Sequence, residues 1–208
     1  MKKFKISRLV VGLIIVIMLT ACSDNKGKTE TQEELKTEIF TNLTEDEVNW
    51  FNEQYFNTRI DVNINDFLNC TYKDVKMLDL GEIFYNLSED ISNEEMKALR
   101  GSEIDVGVEF QKLTVSYMDG ILREYMNISF AEVNENGLEN YLYLKEFDAY
   151  FGCHGDTNYS PVQIKSGEKD GNGMIRLLYT RNEDDVDFVV TLKAHENGYY
   201  FVSNCEKE

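Results

Sequence analysis

The sequence predicts an α+β domain in which N-terminal helices pack on a C-terminal antiparallel β-meander. Three observations carry the prediction. The pattern Ser/Thr-x-x-Glu occurs at Thr44 to Glu47 and again at Ser92 to Glu95. In it the hydroxyl accepts from an orphan helix amide and the glutamate reaches back to the capping residue. Val115 to Met126 spaces Met118, Ile121, Leu122 and Tyr125 along one apolar stripe. From Tyr141 onward the apolar period falls to two, with short turn-rich connections that join neighbouring strands antiparallel.

In chain order, the first feature is an export leader. Lys2, Lys3, Lys5 and Arg8 precede the apolar run Leu9 to Leu19, which ends on Leu19-Thr20-Ala21-Cys22. As a helix, Leu9 to Ala21 would span roughly 20 Å at ~1.5 Å per residue, short of the ~30 Å hydrocarbon core. A removed signal is therefore expected rather than a membrane helix. The run and its last four residues resemble the bacterial lipobox, in which the cysteine thiol receives a diacylglyceryl group and the chain is cut before it. The resemblance implies a signal peptide over 1–21, lipidation of Cys22, and a place on the outward face of the cell membrane. Two acyl chains make such an anchor durable, because one alone binds only marginally and reversibly. Residues 22–42 are polar apart from Leu35, Ile39 and Phe40 and read as a flexible tether of roughly 25 Å. A single domain is expected over 43–208.

Leu43 and Val48 flank the first capping box as a hydrophobic staple, and Val48, Phe51, Tyr55 and Phe56 continue it at helical spacing with Trp50 as an added anchor. The helix opened by Ser92 is expected to stop at Gly101. A third box, Ser129 to Glu132, opens a short turn ending near Asn136-Gly137. In the second half, Phe147, Ala149, Phe151 and Cys153 alternate with Asp148, Tyr150, Gly152 and His154, giving one apolar and one mixed face. Further strands are predicted over Val162 to Ser166, Met174 to Thr180, Val186 to Ala194 and Tyr199 to Cys205. Asn197-Gly198 favours a two-residue type I′ turn. That register pairs Glu196 with Tyr199, Ala194 with Phe201, Leu192 with Ser203 and Val190 with Cys205, and puts Cys205 on the apolar face.

The chain of 208 residues carries 38 acidic and 21 basic side chains, a formal charge of −17. The leader holds four of the basic residues and none of the acidic ones, so the processed chain stands at −21. Such a charge repels nucleic acid and anionic headgroups, which excludes a polynucleotide partner and leaves the lipid on Cys22 as the membrane contact. Beyond Cys22 only Cys70, Cys153 and Cys205 remain, too few for a disulfide scaffold. Buried free thiols are the favoured expectation over a Cys153–Cys205 bridge within one core. With His154 and His195 as the only histidines, and no HExxH, CxxC or GxxxxGK[ST], neither a resident metal nor a cofactor is expected. Glu168 to Gly173 mimics the start of a calcium loop, but Tyr179 stands where the closing bidentate glutamate is needed, so a β-turn is expected instead.

The densest group of reactive side chains is Tyr150 to Tyr159. Cys153 and His154 are strand neighbours pointing to opposite faces, whereas His154 and Asp156 share a face and are the candidate catalytic pair. The competing expectation is a turn in which Asp156 and Asn158 bond their own backbone. Glu124 to Tyr159, together with Tyr199 to Asn204, resembles a group of lipoproteins of Gram-positive bacteria to which no activity is assigned. Helices ahead of a curved meander are also similar to the cystatin or NTF2-like architecture. Three functions are consistent with these features. They are a binding module for a ligand or an envelope protein, a cell-envelope hydrolase using His154 and Asp156, and a regulatory partner of a membrane protein.

Overall fold

A computed structural model describes residues 39–58, 62–102, 110–134, 137–153, 161–181 and 186–208. The fold mixes helices with antiparallel sheets, as the sequence predicts, but the strands divide between two sheets rather than forming one.

Chain order begins with β1 (Thr41–Asn42) and α1 (Glu45–Trp50). Thr41 and Asn42, which the sequence pattern assigns to the tether, pair with Lys169 and Glu168 of a later strand. Phe40 lies under the guanidinium of Arg176, 4.0 Å from ring centroid to Cζ. α1 is capped as expected, with Thr44 N donating to Glu47 Oε2 at 2.9 Å and Glu47 N donating to Thr44 Oγ1 at 3.3 Å. After Trp50 the helix widens into a π turn over Phe51–Tyr55 and breaks at Asn57, whose φ is +59°. Phe51 and Phe56 are buried, and Trp50 stays 43 % exposed.

A 3-10 turn at Ile64–Leu68 follows, then α2 (Leu80–Ile83), α3 (Asn93–Leu99), β2 (Phe110–Thr114) and α4 (Val115–Met126). α3 carries the second capping box, with Ser92 N donating to Glu95 Oε2 at 2.7 Å. Glu95 is buried and forms an ion pair with Lys112 Nζ at 2.8 Å, which ties α3 to β2. α4 buries Met118, Ile121, Leu122 and Met126 and ends on Asn127 at φ +55°. The third box forms a 3-10 turn at Phe130–Glu132, where Glu132 accepts from Ser129 N at 2.9 Å.

β3 (Leu142–Leu144) and β2 flank β4 (Ala149–Cys153) in a three-stranded antiparallel sheet. Both faces of β4 are covered. Ala149 and Phe151 pack with Leu99, while Tyr150 joins the main core. The mixed face predicted for this strand is therefore a second buried face, a pattern expected when a sheet lies between layers. Gly152 sits under the Tyr141 ring, whose hydroxyl donates to Gln111 Oε1 at 2.7 Å. Gln111 in turn donates to the carbonyls of Phe84 and Leu87 at 2.6 Å each. A Cβ at Gly152 would stand 2.5 Å from Tyr141 Cε1, so the ring has to move. Gly152→Ala is expected to lose about 2 kcal/mol, from overpacking and the weakened Tyr141–Gln111 bond. An unchanged urea midpoint would show that the ring relaxes freely.

β5 (Val162–Lys169), β6 (Met174–Arg181), β7 (Asp187–His195) and β8 (Gly198–Glu206) follow one another in an antiparallel sheet with β1 at its edge. Ile175, Leu177, Tyr179, Val190, Leu192 and Phe201 from this sheet share one core with Phe67, Met118 and Leu122. The outer edge of β5 is closed by side chains. Asn52 bonds both backbone groups of Ile164, at 3.0 and 2.8 Å, and Asn57 bonds both of Val162, at 2.9 Å each.

The last hairpin departs from its predicted register. Glu196 and Asn197 form the loop, His195 pairs with Gly198, and the positive φ of +156° falls on Gly198. Ala194 then faces Tyr199 and Leu192 faces Phe201. A bulge between Thr191 and Leu192 adds one residue to β8, and beyond it Val190 faces Asn204 and Val189 faces Cys205. An extra residue reverses which side chains face inward. Asn204 therefore takes the buried position, with Cys205 only half-buried.

Candidate functional site

Cys22, His154 and Asp156 lie outside the described residues. Cys153 closes β4 opposite Phe110 and is exposed, so it does not share a core with Cys205. Cys70, Cys153 and Cys205 are free thiols. Burial pushes the Cys70 thiol up to about 11, which leaves it protonated and unreactive at neutral pH. The turn after β5 is the expected one, with Asp170 Oδ1 accepting from Asn172 N at 2.8 Å and Met174 N at 2.7 Å. Among the described residues, no three His, Cys, Asp or Glu side chains gather as a metal site would require.

Three concavities lie among the described residues, and the two more voluminous of them are candidates for a ligand site. One is a groove of about 800 Å3 beside β1, lined in part by Leu43, Val48, Lys165, Arg176 and Leu178. Its cationic groups are engaged. Lys165 pairs with Asp187 at 2.6 Å, and Arg176 pairs with Glu168 at 3.3 Å and covers Phe40. A ligand there would compete with bonds already made.

The other is a cleft of about 540 Å3 where the β7–β8 hairpin meets the C-terminal half of α4 and the π turn. Tyr55, Tyr125, Tyr199 and Tyr200 line it, with Arg123, Glu124, His195 and Asn197 among its polar groups. Trp50 adjoins the lining. It stacks on Tyr55 with centroids 5.9 Å apart and tilts against Tyr199 at 6.3 Å, while Tyr55 and Tyr199 meet edge to face at 5.3 Å. His195 stacks on Tyr200 at 3.9 Å, and its Nδ1 accepts from Asn197 N at 3.3 Å.

Each part has a local cause. The two-residue turn at 196–197 throws Tyr199 and Tyr200 to opposite sides of β8, and the π turn displaces Tyr55 from the helical stripe that buries Phe51. Burial is the main cause that holds the Tyr55 phenol well above its usual range, and the neighbouring Tyr125 and Tyr199 phenols add to it. Burial also raises Tyr199. Both hydroxyls remain protonated and neutral, able to donate and accept. Arg123 Nε donates to Asp119 Oδ2 at 2.6 Å, which fixes the guanidinium at the cleft's polar side. The arrangement supplies aromatic surface beside planar polar groups of both signs. Among the described residues its lining includes no cysteine, serine or threonine.

The sequence pattern alone assigns Tyr55 and Tyr125 to core stripes and singles out Tyr199-Tyr200 only as part of a resemblance. What brings them together is packing between distant stretches of the chain, and no local pattern records that. Comparison of the chain with models of protein families, with curated proteins and with solved structures found no match.

Proposed function

We propose that this protein is a membrane-anchored extracytoplasmic lipoprotein whose domain binds a ligand through the cleft between the β7–β8 hairpin and α4. One observation carries the binding reading. Four tyrosines and a histidine from three separate stretches of chain converge with Arg123, Glu124 and Asn197 on a single concavity. Concave sites that pair aromatic surface with a few placed polar groups are the usual form of small-molecule sites. The basic start, the apolar run and Leu19-Thr20-Ala21-Cys22 support the anchor. The finer architecture that we propose is helices against one face of a meander, in the manner of cystatin or NTF2-like domains. Its support is the single core shared by Met118 and Leu122 of α4 with Leu177 and Val190 of the larger sheet.

Two experiments test these parts separately. Cys22→Ala is expected to abolish incorporation of labelled palmitate and membrane fractionation in a bacterial host. Retention of both in the variant would overturn the anchor. For the cleft, backbone amide shifts during a fragment screen are expected to cluster at Tyr199, Tyr200 and Asn197. Binding that maps elsewhere would overturn this site.

A further inference from the structure

We infer that the cleft takes a neutral saccharide, with a pyranose ring lying against the Trp50–Tyr55–Tyr199 wall and its hydroxyls reaching the polar rim. The inference rests on the binding reading above and names its ligand class. A pyranose has one face of C–H groups and a periphery of hydroxyls that each donate and accept. The first requires aromatic faces and the second requires planar side chains with paired donors or acceptors. The cleft provides the polar groups and the tyrosines, and Trp50 beside its lining extends the aromatic wall. Trp50 is a large apolar side chain that remains 43 % exposed although it touches three aromatic neighbours. A ring left open beside a polar-lined cleft is more informative than a scattered surface apolar residue.

The rim is suited to hydroxyls. Glu124 offers acceptors only, the Arg123 guanidinium donors only, and Asn197 one of each kind. The protonated phenols of Tyr55 and Tyr199 add groups that switch between donor and acceptor. Two other ligand classes fit less well. An organic cation needs aromatic faces arranged around an empty box. Here Tyr55 packs edge to face on Phe51 and on Tyr199 at 5.8 and 5.3 Å, and Arg123 brings positive charge to the lining. An anion meets Glu124 in the cleft and a chain of net charge −17. A neutral, hydroxyl-rich ring avoids both penalties.

The chain holds a single tryptophan, so its emission reports on this wall alone. The experiment titrates the full processed protein with cellotetraose, maltotetraose and the N-acetylglucosamine tetramer. Parallel titrations use benzyltrimethylammonium and an aromatic fragment set. At least one oligosaccharide is expected to change Trp50 emission saturably. Tyr199→Ala should weaken that binding at least about fivefold, and Tyr199→Phe, which keeps the ring, should weaken it less. Asn197→Ala, at an exposed turn, tests the rim without disturbing the core and is expected to weaken binding at least about threefold. If the fragments or the ammonium compound bind at this wall and no saccharide does, the saccharide inference is overturned and the binding reading stands. If nothing alters the emission and no amide of the cleft shifts, both are overturned.

Discussion

Replacing Asn204 by alanine is expected to destabilise the domain by about 3 to 5 kcal/mol, a large effect for a single polar side chain. That side chain is fully buried and engages three partners, two of them buried and the Cys70 carbonyl part-buried. Oδ1 accepts from the Tyr179 hydroxyl at 2.8 Å, and Nδ2 donates to Cys70 O at 2.8 Å and Leu68 O at 3.3 Å. Its backbone also exchanges bonds with Tyr72 at 2.7 and 2.8 Å, so one residue joins the β8 edge to the Leu68–Tyr72 segment. Truncation leaves two carbonyls and one hydroxyl each short of a bond, at roughly 1 to 3 kcal/mol for each buried group left unpaired. The phenol has no ionised alternative, because burial pushes Tyr179 up to about 12. In a domain of this size the loss corresponds to a fall in Tm of roughly 10 °C. Tyr179→Phe removes one of the three bonds and should cost about 1 kcal/mol, with clear coupling to Asn204 in a double-mutant cycle. A loss below about 1 kcal/mol for Asn204→Ala would mean that the strand and loop separate without consequence.

Asp66 is expected to make the protein less stable as the pH rises from 4 to 8, against the usual trend for carboxylates. The residue is buried in the Ile64–Leu68 turn. Its Oδ1 accepts from Asn63 at 3.1 Å and Asn86 at 3.0 Å, while Oδ2 is buried without a partner. Desolvation outweighs the lowering by the Asn86 and Asn69 amides and raises its pKa from 3.8 to about 6. The folded chain therefore holds this proton more tightly than the unfolded chain does. Stability from this group is fully present below about pH 4 and is lost as the pH climbs through the folded value near 6. A shift of about two units corresponds to roughly 3 kcal/mol at most. Asp66→Asn retains the accepting oxygen and cannot ionise. Any cost of its amide is independent of pH, so the difference between variant and parent isolates the titration. That difference should move by about 2 to 3 kcal/mol in the variant's favour between pH 4 and pH 8, measured by urea unfolding at each pH. A constant difference would show that the carboxyl is solvated.

Short-range grammar was legible in the chain, and long-range accommodation was not. Thr44 with Glu47 and Ser92 with Glu95 act within one helical turn, so their residue types alone specify the bonds they make. The α4 stripe and the alternation in β5 to β8 follow from period in the same way. β2 was invisible because Gln111, an ordinarily exposed residue, occupies its inward position, and the carbonyls that satisfy its amide lie more than twenty residues earlier. The register of the last hairpin differs first because the turn falls one residue earlier, and then because of one inserted residue, which put Asn204 rather than Cys205 inside. For the candidate site, the reactive cluster that stood out by composition contributes only Cys153 to the exposed end of β4 among the described residues. The cleft is assembled from aromatic residues that individually look like core. Tyr55, Tyr125 and Tyr199 acquire joint meaning only once the π turn, α4 and the hairpin are brought together.

The asparagines along β5 bear on what kind of partner can be recognised. A bare sheet edge is an invitation, since any extended segment can add itself as another strand and be held by main-chain bonds alone. Along β5 that route is shut. Val162 and Ile164 are occupied by Asn57 and Asn52, Gly167 O receives Leu43 N at 2.8 Å, and Glu168 and Lys169 are paired with β1. A partner that meets this edge has to be selected by side-chain chemistry rather than by backbone shape. The same closure denies this edge to a second copy of the chain. If the proposed lipid anchor crowds molecules on a surface, they would meet edge to edge far more often than in free solution, and along this edge each would offer its neighbour amide side chains already in use.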